Sequence, residues 1–136
     1  RIPYKIYGQE GWVHGDWEWE FTSIIYLSDH SDSGTCLYEG THFNIGAEHE
    51  EEKKRFFKEL KNRKRTEEYK RKANSKFNKK VELFSNFNRL LLFDGHNWHA
   101  SKNPGQDRSD RLTLITFFKN ITCKDVHYPI PTMRRI

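Results

Sequence analysis

His14 and Asp16 stand two residues apart with Gly15 between them. In an extended segment residues i and i+2 project to the same side, so this short piece of backbone offers an imidazole nitrogen and a carboxylate oxygen to one metal ion. A second imidazole from another strand would complete a facial set, and His99, far downstream, is read together with this pair. Two histidines and one carboxylate on one face leave the opposite positions open, which is how a non-haem Fe(II) site keeps room for oxygen and a co-substrate. The plainer use of the same tripeptide is a loop histidine hydrogen-bonded to a neighbouring acid. Arg111 is the other residue with chemistry in it. An arginine on a buried strand is costly unless an anion meets it, and a guanidinium fork beside the Thr113 hydroxyl suits a terminal carboxylate. An Arg at the mouth of a strand also reaches solvent along its own stem.

These residues need strands to hold them, and the pattern supplies short ones. Residues 2–7 alternate and close at the turn Gly8 to Gly11. Residues 21–27 are β-branched and aromatic, as a buried strand requires. Ser28 to Gly34 reads as a turn cluster, followed by short strands at 35–38 and 41–45. Strand character returns at 81–85 and at 89–93, the latter ending at the turn pair Asp94-Gly95. After 96–100 and a loop from Ser101 to Asp110 comes the clearest strand, 111–118, in which Arg111, Thr113, Ile115 and Phe117 share a face. Many short strands interrupted by one helical stretch predict a mainly β, antiparallel sandwich or barrel.

The interruption is chemically distinct. Ala47 to about Ala73 is built of helix formers, with acids at its start and bases behind them, an order that suits the helix dipole. Glu50 with Lys54, Glu59 with Arg63 and Glu67 with Arg71 predict ion pairs four residues apart. Phe56, Phe57, Leu60 and Tyr69 are its apolar contacts with the sheet. The chain of 136 residues carries a net charge of +5, yet residues 48–80 alone hold fourteen Lys and Arg against seven acids, leaving the rest at −2. The basicity therefore belongs to one charged insertion, 47–80, within a single domain of ordinary size, 1–136. No apolar run approaches the length of a membrane span. Two cysteines, Cys36 and Cys123, make neither a disulfide framework nor a Cys-rich zinc site, so a reducing, cytoplasmic setting is expected. The chain begins at Arg1 on a strand, and a missing N-terminal part is expected on that ground.

Taken in order, Tyr4, His14-Gly15-Asp16, Tyr26-Leu27-Ser28, residues 34–38, residues 88–94, Trp98-His99-Ala100 and Arg111-Leu112-Thr113 resemble the 2-oxoglutarate- and Fe(II)-dependent oxygenases, closest to their prolyl-4-hydroxylase-like group. The likeness runs from about residue 2 to residue 119 and implies a double-stranded β-helix, a jelly-roll or cupin-like barrel of eight antiparallel strands. It further implies that His14, Asp16 and His99 bind the iron. Arg111 would hold the far carboxylate of 2-oxoglutarate, with Thr113 beside it and Tyr4 and Tyr26 as pocket tyrosines; as plain core aromatics the two tyrosines would still need a partner for the hydroxyl. The cofactors implied are Fe(II), 2-oxoglutarate and molecular oxygen, with ascorbate as an accessory reductant. The implied reaction is hydroxylation of a peptide or small molecule with release of succinate and CO2.

Two departures from the family pattern stand out. His96 competes with His99 for the metal, although Trp98-His99-Ala100 matches the pattern better. Twelve positions separate His99 from Arg111, longer than usual, and Arg108 fits the shorter spacing but sits in the loop. The insertion has no fixed counterpart in the group's core and is expected to be decoration or a lid. From a different class, a non-catalytic β-domain would bind nucleic acid or an acidic protein through the basic helix, with nucleic acid the less favoured partner. A cupin-like metalloenzyme without 2-oxoglutarate is a third expectation, against which Arg111 counts.

Overall fold

The computed structural model describes residues 10–40, 45–58, 63–102 and 111–122. Tyr4 and the strand predicted at 2–7, most of that predicted at 41–45, Arg108 and Cys123 lie outside the described residues. Within the described residues, six strands and two helices follow in the order β1 (Phe21–Tyr26), β2 (His30–Gly40), α1 (Ile45–Lys58), α2 (Arg63–Asn74), β3 (Phe77–Ser85), β4 (Leu90–Asp94), β5 (Trp98–Lys102) and β6 (Thr113–Phe118). All strand pairs are antiparallel. They form two three-stranded sheets, ordered β4-β1-β6 and β3-β2-β5. Residues 10–14 attach to the free side of β5 by bridges from Glu10 to Lys102 and from His14 to His99. The chain is thus mainly β, as its alternation predicts. The closed eight-stranded barrel is not reproduced: among the described residues the two sheets do not join into a barrel.

The sheets face each other across the apolar positions of alternate residues. Ile24, Tyr26 and Phe93 from the first sheet are buried together, with Leu37 of β2 and Leu91 packed against them. The register that places Ile24 opposite Leu91 and Ile115 puts Thr22 opposite Phe93 and Phe117 on the same face. The helices cover the far side of the second sheet. There Val13, Ile45, Phe77 and Ala100 form one buried cluster with Tyr38 and Trp98 against it, and Trp12, Phe56 and Ala73 form another.

Several expectations need correction. The described part of the helical stretch comprises two helices, α1 and α2, and Leu60, between them, lies outside the described residues. Phe56 is buried, whereas Phe57 is exposed and Tyr69 half-buried. In place of Glu50 with Lys54 and Glu67 with Arg71, the helices show pairs three residues apart, Glu50 with Lys53, Glu51 with Lys54 and Glu67 with Lys70, and the predicted pair of Glu59 with Arg63 lies outside the described side chains. The predicted turn at 28–34 is partly strand, since β2 starts at His30, and β3 begins at Phe77, inside the predicted insertion. Phe77 is buried under α1, and tertiary burial overrides the polar Asn78-Lys79-Lys80 that follows it. Arg111 precedes β6 rather than opening it, and β6 is an edge strand whose Leu114, Ile115, Phe117 and Phe118 are all exposed.

Candidate metal centre

His14 and His99 meet because their backbones pair. The His14 N–H donates to the His99 carbonyl at 2.9 Å and the His99 N–H donates back at 2.8 Å, so the two side chains emerge from directly opposed positions. Their rings lie 4.3 Å apart. Two residues on, the chain turns towards the first sheet, where the Asp16 N–H donates to the Gly95 carbonyl at 2.7 Å and the Gly95 N–H to the Glu20 carbonyl at 2.9 Å. Only glycine allows this approach, since a Cβ at residue 95 would overlap the Trp19 carbonyl. The Asp16 carboxylate then faces both imidazoles. Oδ1 is 3.7 Å from His14 Nε2 and Oδ2 is 3.4 Å from His99 Nε2, and one donor atom from each residue lies within 4.8 Å of the others.

The proton inventory of this cluster is unusual. His14 Nδ1 lies 2.8 Å from the Trp12 carbonyl and His99 Nδ1 lies 2.9 Å from the Asn97 carbonyl. A carbonyl only accepts, so each Nδ1 carries the hydrogen and each neutral ring turns its Nε2 lone pair towards Asp16. Burial holds both rings towards the neutral form. It lowers the His14 pKa from the ordinary 6.5, and it takes His99 down to about 4, with the charge of His14 acting in the same direction. Thr22, on the inner face of β1, donates to Asp16 Oδ2 at 2.6 Å and fixes the carboxylate. Three acceptors therefore converge with no proton between them, an arrangement that a cation satisfies.

The remaining predicted residues fall along the same strand. Tyr26 is fully buried four residues beyond Thr22, about 13 Å along β1, and its hydroxyl donates to Thr35 Oγ1 at 2.7 Å. Thr113 is paired directly with Tyr26. The Arg111 guanidinium stands over the Tyr26 ring at 5.5 Å. His96 is not brought into the cluster: its Nδ1 contacts Asp94 at 2.9 Å, its ring packs on Trp17, and it is exposed. Trp98 belongs to the core under α1, and Trp17 packs on it edge-on at 4.9 Å.

Three residues of the site escaped sequence reasoning. Thr22 carried a signal in the i, i+2 pattern, as the polar member of an inner face shared with Ile24 and Tyr26. His49 lies one turn and two turns from Ile45 and Phe56 on the buried face of α1 and is itself fully buried. Asn74 ends α2 and carried no signal, because its partners are backbone atoms sixty residues away.

A facial pair of histidines with one carboxylate, set between two antiparallel sheets, defines a mainly β protein with a candidate mononuclear metal centre. The chain matches the family of unknown function DUF6445 over residues 15–118 and belongs to it. The matched span holds Asp16, His99, Arg111 and Thr113. No curated protein and no solved structure matches the chain.

Proposed function

We propose that this protein is a 2-oxoglutarate- and Fe(II)-dependent oxygenase that hydroxylates a peptide or small-molecule substrate. The carrying observation is the convergence of His14 Nε2, Asp16 and His99 Nε2 as three acceptors with both Nδ1 positions committed to carbonyls. Donors on adjacent positions of an ion with bonds of about 2.1 Å are about 3 Å apart, so the present spacing fits an ion after a small contraction. When bound, Fe(II) with 2-oxoglutarate supplies the oxidising power for C–H hydroxylation, with succinate and CO2 as co-products.

The chain's own residues do the positioning. Thr22 orients Asp16 so that its oxygens serve the ion rather than solvent, and the two backbone carbonyls set the tautomers of His14 and His99. Arg111 stands over the Tyr26 ring beside the end of β1 away from Thr22, with Thr113 paired to Tyr26, and on this reading it would hold the far carboxylate of 2-oxoglutarate. Phe93, whose ring lies 4.7 Å from that of His99, keeps water from the inner side. The chain changes sheet between β1 and β2, β3 and β4, β4 and β5, and β5 and β6, remaining in one sheet only from β2 to β3 across the helical insertion; with residues 10–14 beside β5, these crossings support the double-stranded β-helix arrangement in particular.

Purified protein given Fe(II), 2-oxoglutarate and air is expected to form succinate, and His99→Ala is expected to form none. Absence of succinate from the wild type with Fe(II) confirmed bound would favour a metalloenzyme that uses no 2-oxoglutarate. The nucleic-acid alternative is less well supported by charge placement. Lys53, Lys54, Lys70, Lys76, Lys79 and Lys80 each stand within 4 Å of a glutamate, and a phosphate-binding face needs its cations unneutralised. Among the described residues no helix is long and apolar enough to cross a membrane.

A further inference from the structure

Residues 11–14 carry the first ligand and pair with β5 along one edge only: Gly11 N–H donates to the Ser101 carbonyl at 2.7 Å, and His14 exchanges both bonds with His99. The other edge ought to be left with the polar groups of Val13 and the Gly11 carbonyl, in a place where Val13 is wholly buried. Buried backbone groups without partners cost about 1–3 kcal/mol each, so their disposition is informative. Here side chains of the charged insertion take them. The Val13 N–H donates to Asn74 Oδ1 at 3.1 Å, the Asn74 Nδ2 donates to the Gly11 carbonyl at 2.9 Å, and His49 Nε2–H donates to the Val13 carbonyl.

We propose that the helical insertion is a clamp on the metal-ligand strand, in which His49 of α1 and Asn74 of α2 stand in for a neighbouring β-strand and hold His14 in register. The inference rests on the metal-centre reading of His14, and it gives the insertion a role other than decoration, lid or nucleic-acid surface. His49 and Asn74 are positioning residues. His49 is wedged between Trp12, Phe77 and Trp98, with ring centroids 4.7–5.6 Å away, and its other nitrogen has no hydrogen-bond partner among the described residues. An apolar side chain would fill that space without leaving a buried nitrogen unmatched, so the bond to Val13 is what a histidine adds. The clamp is closed at its base by Lys76, just after α2, which pairs with Glu52 at 2.9 Å and Glu48 at 3.5 Å, both on α1.

The test is the affinity for Co(II), followed through its visible absorption, in the wild type, His49→Leu and His49→Gln. Glutamine keeps a donor near the position of Nε2, and leucine keeps only volume. The Leu variant is expected to bind Co(II) about 10–100-fold more weakly and with an altered band shape, and the Gln variant to recover most of the loss. Equal affinity and spectra in all three proteins would overturn the clamp while leaving the metal centre intact, whereas a wild type that takes up no Co(II) would remove the reading on which both rest. Hydrogen exchange on the wild type covers the case of a Leu variant that does not fold. Co(II) is expected to slow exchange in α1 and α2 as well as in β5, and slowing confined to β5 would overturn the proposal.

Discussion

Asp16→Asn should make the metal-free protein more stable while abolishing metal binding. In the metal-free state the carboxylate faces two Nε2 lone pairs, at 3.7 and 3.4 Å, and Thr22 is the side chain that donates to it. An amide keeps the Thr22 bond on its oxygen and offers an NH2 group to a histidine nitrogen. One neutral hydrogen bond contributes about 0.5–1.5 kcal/mol, so a net gain of about 1 kcal/mol is expected. For a domain of this size that is a rise in Tm of about 3–5 °C. Urea or thermal unfolding in excess chelator at pH 7.5 measures it, beside a Co(II) titration in which the variant should bind at least about 100-fold more weakly. The gain should shrink as the pH falls towards 4, because a protonated imidazole prefers the charged carboxylate. An Asp16→Asn protein that is less stable than wild type at pH 7.5 in chelator would refute the three-acceptor account of the site.

Three further perturbations probe the surroundings. Gly95→Ala places a Cβ on the Trp19 carbonyl and should displace the Asp16 backbone, lowering Co(II) affinity and costing about 1–3 kcal/mol in denaturant unfolding. Arg111→Ala should raise the apparent KM for 2-oxoglutarate by about 10–100-fold, the worth of a charge-assisted hydrogen bond, with Fe(II) stoichiometry unchanged. The metal-free protein should lose stability on acidification. His14, His49 and His99 all have pKa values lowered by burial, so the unfolded chain binds more protons. Their contribution is complete above about pH 6.5 and is lost as the pH falls towards 4. Denaturant midpoints that do not change between pH 7 and 5 would contradict the neutral assignment of these rings.

The site was legible where its chemistry follows short-range rules. The i, i+2 spacing of His14 and Asp16 and the strand character of β1 and β4 are local features, and the structure brings His99 rather than His96 to the pair because the backbone bridge to residue 14 falls at residue 99. What the sequence concealed depends on contacts distant along the chain. His49 and Asn74 look like ordinary members of a charged helix until the buried edge of residues 11–14 is in view. The early start of β3 has the same origin: Phe77 is committed to the strand by α1 and Trp98 above it, which no window of neighbouring residues records.

Anaerobic titration with Fe(II), followed by addition of 2-oxoglutarate, measures the central claim most directly. One Fe(II) per chain and a weak visible charge-transfer band on adding 2-oxoglutarate, both lost in Asp16→Ala, are the expected results. A wild-type protein that binds no Fe(II), or binds it equally well without the Asp16 carboxylate, would contradict the proposed centre.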